Sequence, residues 1–475
     1  MVMSRDDLSI LSATEISKLV HQKDVSVREV ATAVIARLDG VNPHINAVVE
    51  YRAEEIIRRA EELDIALAKG ESVGTLAGVP VTIKASIDQI GFATTDGVRA
   101  REHEFPPSNS AVVDHLLKSG ALLIGRTNTA AFSYRWFTEN RLYGSTKNPH
   151  NPSLTSGGSS GGAAAAVAAG LGAIAIGTDL AGSIRYPAYA CGVHGLRPSF
   201  GRVARFNPTD PEKVPIGVQL MAVTGPVART VNDLRLAMDV IAREDIRDPW
   251  WVPAPMVGYD APKCAAFCVR PNGLDTQPDV VEALYDAARK LRDAGWTVVE
   301  LEDIPSLRSA SDIQLTLLLG EDYEGQLLAA QEDGDPGALN FLNMYREFAH
   351  SVSLVNYSSA LSRLHTIAGE WQQFLSEKFA VLLLPTSAEL PFSNNLDLEC
   401  EASFMRVWNS QMPMFALPVT GLPCVSLRTH LISTPSGETI PVGIQIVSAR
   451  FREDLCLKAA EDIEKRGEPV EVITP

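Results

Sequence analysis

A Gly/Ser knot, Gly157-Gly158-Ser159-Ser160-Gly161-Gly162, runs straight into an alanine-rich stretch from Ala163 to Ala169 and a short apolar segment from Ala175 to Thr178. A glycine/serine cluster alone reads as a flexible linker. Linkers do not lead directly into a buried helix and strand, so this knot is a structured joint. Glycines at such a joint permit backbone angles and close approaches that side chains forbid. A helix start also presents unpaired N–H groups, which suit an anion or developing negative charge. The strand empties into a second small-residue turn, Asp179-Leu180-Ala181-Gly182-Ser183, closed by Arg185 and Pro187. Ser183 is the better nucleophile candidate of the two joints. It lies just past a strand end, on a turn whose N–H groups (Leu180, Ala181, Gly182, Ser183) can converge on an oxyanion. A serine hydroxyl is a weak nucleophile until a base takes its proton, so the chain must supply one elsewhere.

Gly78-Val79-Pro80-Val81-Thr82-Ile83-Lys84 reads as a buried strand, with Pro80 tolerable at its start. Lys84 ends it in an otherwise uncharged run. A lysine is seldom fully buried without a reason, yet a surface lysine at a strand end fits the pattern equally well. Ala121 to Gly125 is another short strand. The segment Arg126 to Asn148 that follows is dense in aromatics, including Phe132, Tyr134, Trp136, Phe137 and Tyr143, and has no helical or strand period. A structured pocket wall and a hydrophobic satellite under a loop both account for it.

Elsewhere the patterns alternate. Ser12-Ala13-Thr14-Glu15 and Ser26-Val27-Arg28-Glu29 match capping boxes, and Val30, Val34, Ile35 and Leu38 form a helical stripe. Asn46 to Lys69 reads as a further long helix, completing a helical N-terminal region over 1–70. After Gly201 the chain turns irregular through Pro215, and Thr224-Gly225-Pro226 precedes a helix over Val231 to Ile241. Cys264–Val269 and Thr297–Leu301 read as strands flanking a helix, Val280–Ala294, a βαβ pattern. Ile313 to Phe379 is mostly helical, within a variable region over 300–380 that borders the substrate. Ala380–Leu384, Cys424–Arg428 and Val442–Val447 complete the strands, and Asp454–Arg466 is a closing helix. The expected architecture is α/β: one large domain over 1–475, a central mixed sheet covered by helices, with a catalytic core over 76–205.

Composition narrows the partners. A net charge of −16 argues against nucleic acid or an anionic membrane. The longest apolar run, Ala163 to Gly177, is too short and glycine-broken to span a bilayer, and MVMSRDDLSI lacks the basic start and apolar run of a leader. The six cysteines, scattered through apolar surroundings, suit reduced thiols in a cytoplasmic protein. Only Cys264 and Cys268 lie close together, so no zinc set exists. No metal or other cofactor is expected.

With these motifs in order, the chain closely resembles the amidase signature family. GGSSGG, GTDLAGSIRYPA and CGVHGLRP match its central block, with GVPVTIK and RTN…F…TENRLYGSTKNP upstream and LLLPT, TGLP and PVGIQIV downstream. The resemblance implies a triad of lysine, cis-serine and serine, carried here onto Lys84, Ser159 and Ser183, with the Gly158–Ser159 peptide cis. Lys84 would then be buried, with a lowered pKa, and take a proton relayed by Ser159 from Ser183. Backbone N–H groups of Leu180 to Ser183 would hold the oxyanion, and Gly158, Ser160, Asp179 and Arg185 would brace the knot and turn. The implied activity is hydrolysis of amide C–N bonds through an acyl-enzyme, with esters or carbamates as side substrates. A small-molecule amide is the expected partner, and a homodimer through the N-terminal helices a family-level expectation.

Three positions depart from the family. Ala181 replaces a glycine in the turn, Ala85 an aspartate after the lysine, and Ala131 an acidic residue before Phe132. The last two remove charge near the pocket mouth, which favours a bulky neutral or aromatic group over small charged amides. Phe132, Tyr134, Trp136, Phe137 and Met414 are the pocket candidates, with Arg205, Trp408 and Met412 beside them. Two other readings compete. The same serine sits in a Gly-x-Ser-x-Gly pattern, but Asn148 to Ser156 is a poor strand for a nucleophile elbow, and no histidine has a suggestive setting. The glutaminase-like component of a tRNA-dependent amidotransferase shares the implied triad.

Overall fold

The computed structural model describes residues 5–210 and 214–475. The first four residues of MVMSRDDLSI, and residues 211–213 within the irregular stretch after Gly201, lie outside the described residues. Among the described residues eleven strands pair into one mixed sheet: β1 (Val48–Glu50), β2 (Pro80–Lys84), β3 (Leu122–Thr127), β4 (Ile174–Asp179), β5 (His194–Arg197), β6 (Val223–Ala228), β7 (Cys264–Phe267), β8 (Thr297–Glu300), β9 (Val381–Pro385), β10 (Cys424–Ser433) and β11 (Thr439–Val447). Their spatial order is β1-β3-β2-β4-β6-β5-β10-β11-β9-β7-β8. β2 is parallel to both β3 and β4, and β7 is parallel to β8 and β9, whereas β4–β6, β5–β10 and β10–β11 are antiparallel.

Side chains alternate between the two faces of a strand, and both faces here are covered. Val381 and Leu383 of β9, with Ala265 and Phe267 of β7, join the larger core beneath the N-terminal, 231–241, 278–293 and C-terminal helices. Leu382, Leu384 and Ala266 point the other way, onto the Leu307–Leu319 and Leu354–Lys378 helices. That double burial explains why these strands read as continuous apolar runs.

Both capping boxes close: Ser12 accepts from Glu15 N–H at 3.2 Å and Ser26 from Glu29 N–H at 3.1 Å. The apolar stripes of these N-terminal helices are buried in the chain's own core. The helix over Val231 to Ile241 forms as read; one expectation needs correction, and the strand set read from the sequence is incomplete. The helix read over Asn46 to Lys69 begins only at Ala53. Asn46 caps the preceding helix in the left-handed region (φ 51), and Val48–Glu50 then pairs with β3 as an edge strand. The stretch around Thr224-Gly225-Pro226 is β6, an inner strand where Pro226 faces Ile176. Proline in an inner strand runs against the usual pattern. Gly225 is required there, because a Cβ would collide with the Leu196 carbonyl. No helix among the described residues is long and apolar enough to cross a membrane.

Candidate active site

Two neighbouring parallel strands end side by side at the site. Lys84 is the last residue of β2, and Thr178 and Asp179 end β4. Carboxyl ends of parallel strands are where open α/β sheets place ligands. Lys84 is fully buried, and its Nζ lies 2.6 Å from Ser159 Oγ and 2.9 Å from Thr178 Oγ1. Burial pulls the Lys84 pKa down to about 8, while the charges of Asp96 and Asp179 push it back up.

Ser159 is presented by the Gly/Ser knot, where the Gly158–Ser159 peptide is cis. The knot is folded against the aromatic loop. Thr138 Oγ1 accepts from Gly161 N–H at 2.9 Å and donates to the Gly157 carbonyl at 2.9 Å. A Cβ on Gly158 would run into the backbone of Arg135, Trp136 and Phe137. Glycine is therefore demanded by contact with the loop. Ser160 joins the knot to the turn, its N–H donating to the Ser183 carbonyl at 3.2 Å and its hydroxyl to the Thr178 carbonyl at 3.3 Å.

The turn after β4 is organised by the Asp179 carboxylate. It accepts from Gly182 N–H at 2.9 Å and Ile184 N–H at 3.3 Å, and pairs with Arg185 at 3.0 Å and Arg197 at 3.3 Å, all out of solvent. Burial alone would raise the Asp179 carboxyl; the two guanidinium charges and these hydrogen bonds hold it well below the usual range. Because Gly182 N–H is committed to Asp179, the N–H groups of Leu180, Ala181 and Ser183 are the ones left without a partner among the described residues. Ser183 is 7% exposed, and its hydroxyl makes no hydrogen bond among the described residues. Ser159 and Ser183 line one cavity without being hydrogen-bonded to each other.

Two cavities meet at Ser183. One, of about 240 Å³, is the more polar of the two: Asp96, Arg101, Arg205, Asn207, Thr209 and Asp210 line it beside Ile87, Val112, Phe132 and Phe206, and it contains Ser159 and Thr178. The other, of about 190 Å³, is walled by Trp136, Leu318, Leu319, Phe341, Trp408 and Phe415. Leu180, Tyr134 and Val218 border both. The Trp408 ring is the hub of the second, 4.6 Å from Trp136, 4.8 Å from Phe415 and 5.7 Å from Phe341 between centroids.

The family model described as Amidase matches residues 29–457. The chain belongs to the amidase family. An indoleacetamide hydrolase of Bradyrhizobium diazoefficiens is 36% identical over 461 residues, 96% of this chain and 86% of that protein. One component of the glutamyl-tRNA(Gln) amidotransferase of Carboxydothermus hydrogenoformans is 41% identical over 501 residues, 97% of this chain and 98% of that one. Among solved structures, a bacterial aryl acylamidase of the amidase signature family has a TM-score of 0.83 at 27% identity, covering 96% of each chain. This amidase is accordingly a hydrolase of amide C–N bonds.

The pocket candidates divide. Phe132 and Arg205 line the polar cavity of the amidase, Trp136 and Trp408 the aromatic one, and Tyr134 both. Phe137, Met414 and Met412 border neither cavity. Phe137 points into a core with Phe392, and Met414 is fully buried behind the turn, occupying the space a Cβ on Gly182 would need. Four further residues come from structure alone: Thr178, Asp96, Phe341 and Gln314. Asp96 sits on the cavity wall in the left-handed region (φ 45), accepting from Ser133 Oγ at 2.7 Å. Burial raises its carboxyl, against the Lys84 and Arg101 charges. It sets a carboxyl near Lys84 where Ala85 had removed one, and with Arg101, Arg205 and Asp210 on the same wall it corrects the reading of a pocket mouth without ionisable groups. Only Gln314 carried a sequence signal, as a lone amide in the apolar run Ile313 to Leu319.

Proposed function

We propose that this amidase cleaves amides of aryl-substituted carboxylic acids with a small leaving amine, through an acyl-enzyme on Ser183. One observation carries the assignment of sides. Ser183 borders both cavities, whereas Ser159, next to Lys84, borders only the polar one. The leaving nitrogen must receive its proton from the Ser159 side, so the amine occupies the polar cavity and the aryl-acyl group the aromatic one. That arrangement fits the name of the indoleacetamide hydrolase relative.

Neutral Lys84 has two protons and one lone pair. It can donate to Thr178 Oγ1 while accepting from Ser159 Oγ, the two atoms it touches. As Ser183 Oγ bonds to the carbonyl carbon, its proton passes to Ser159 Oγ and that of Ser159 to Lys84 Nζ. The carbonyl oxygen becomes an oxyanion facing the free N–H groups of the turn. Collapse breaks the C–N bond as the proton returns through Ser159 to the leaving nitrogen. Water then attacks the ester by the same relay in reverse and frees the acid and Ser183.

The test is a panel on the purified single chain and its Ser183→Ala variant: an arylacetamide, acetanilide, a malonamate-like acid and glutamine. Arylacetamide should be the best substrate of the wild type, and Ser183→Ala should be inactive on all. A preference for acetanilide would reverse the two sides, and a preference for the acid or for glutamine would refute the aromatic acyl assignment.

A further inference from the structure

The Leu307–Leu319 helix buries Leu307, Ala310, Ile313, Gln314, Leu317 and Leu319. Leu307, Ala310, Gln314 and Leu317 have the spacing of a core-facing stripe, and five of the six buried residues are apolar. Gln314 is the exception. It is fully buried, its Nε2 donates to the Leu180 carbonyl at 2.6 Å, and its Oε1 has no hydrogen-bond partner among the described residues. A buried amide with an unmet acceptor costs stability, and leucine or methionine would fill the position without that cost. The bond to Leu180 is what the amide provides.

The Leu180–Ala181 peptide is trans, so its N–H points opposite its carbonyl. Gripping the Leu180 carbonyl therefore fixes the direction of the Ala181 N–H, which has no partner among the described residues, and Leu180, Ala181 and Ser183 all line the aromatic cavity that Leu318 and Leu319 of the same helix also wall. The next peptide is held likewise. Trp136 Nε1 donates to the Ala181 carbonyl at 2.7 Å, while the Gly182 N–H ends on Asp179 at 2.9 Å. Two side chains remote from the turn in sequence thus hold the two peptides that precede the Gly182–Ser183 peptide.

We propose that Gln314 is a positioning residue for the oxyanion site, holding the Ala181 N–H in line with the oxygen that becomes negative during attack by Ser183. The proposal rests on the acyl-enzyme reading above and extends it to a residue of the variable helical region, outside the glycine- and serine-rich block. A turn free to swing loses transition-state stabilisation while ground-state binding of the aryl group persists, since the walls around Trp408 are untouched.

Gln314→Met keeps the volume and removes the donor. Its kcat on an arylacetamide should fall roughly 10- to 100-fold, short of the loss of a whole oxyanion donor, with KM within about threefold. Binding of an arylmethyl boronic acid, which forms a tetrahedral adduct on Ser183, should weaken by the same factor, and that of the matching alcohol should not. Leu317→Ala, on the same helix face, is the structural control, with lower Tm and kcat within about threefold. Gln314→Leu, which also lacks the donor, should lose about as much kcat as the methionine variant and decides the question if that variant does not fold. A wild-type-like kcat in the folded glutamine variants, or a kcat loss in Leu317→Ala that matches theirs at equal Tm, would overturn the proposal. Activity surviving in Ser183→Ala would instead sink the acyl-enzyme reading itself.

Discussion

Raising the pH from about 7 to about 9 should speed this amidase about tenfold at limiting substrate. The perturbation acts on Lys84, which in the proposed relay must be neutral to accept a proton through Ser159 and which burial brings down to about 8. With that value, roughly a tenth of the molecules hold the neutral amine at about pH 7 and roughly nine-tenths at about pH 9. The profile of kcat/KM, which reports the free enzyme, should climb through a midpoint at about 8 and then level off. The groups that bear on Lys84 are Asp96 and Asp179, both pushing it upward. Asp179 stays charged across this range because Arg185 and Arg197 hold it low. Asp96→Asn should therefore move the midpoint to lower pH, since it removes a charge that favours the ammonium. The assay is initial-rate hydrolysis of an arylacetamide across the range for both proteins. A flat wild-type profile, or a midpoint that rises in Asp96→Asn, would refute the assignment of Lys84 as the base.

The same shift carries a stability consequence. An unfolded lysine keeps its proton to higher pH than buried Lys84, so the native state gains stability as pH rises between about 8 and the ordinary lysine range, and bears the full cost of the buried charge below it. Lys84→Met should thus be inactive yet more stable near neutral pH, by up to about 3 kcal/mol before the lost bonds to Ser159 and Thr178 are counted. Urea melts at neutral and high pH check this, and a variant less stable than wild type at neutral pH would contradict it. Asp179→Asn leaves Arg185 and Arg197 buried without their carboxylate, and should cost about 3–5 kcal/mol in a denaturation midpoint series. Trp408→Ala opens the aromatic cavity, so kcat/KM should fall roughly tenfold or more for an arylacetamide and change little for acetamide, as read from paired substrate kinetics.

The sequence by itself determined the parts whose chemistry is local. The knot from Gly157 to Gly162, the turn from Asp179 to Ser183 and the capping boxes at Ser12 and Ser26 act through backbone geometry among near neighbours, and such geometry demands glycine, serine or a carboxylate at set offsets. Strands β2, β4 and β9 were legible because burial on both faces leaves mostly apolar residues, with most of the polar ones gathered at the ends of β2 and β4 that meet at the site. What the tertiary structure alone decided is who faces whom. Lys84 was equally readable as a surface residue until parallel pairing of β2 with β4 put its amine between Ser159 and Thr178. Trp136 and Phe137 are adjacent and both join one hydrophobic core, yet only Trp136 also walls a cavity, a choice made in a loop whose left-handed residues Phe132 and Ser133 follow no period. Phe341, Trp408 and Gln314 reach the site from separate helices, and Asp96 from a loop. Their roles arise from packing between elements far apart in the chain, and a one-dimensional pattern carries no record of which faces will meet.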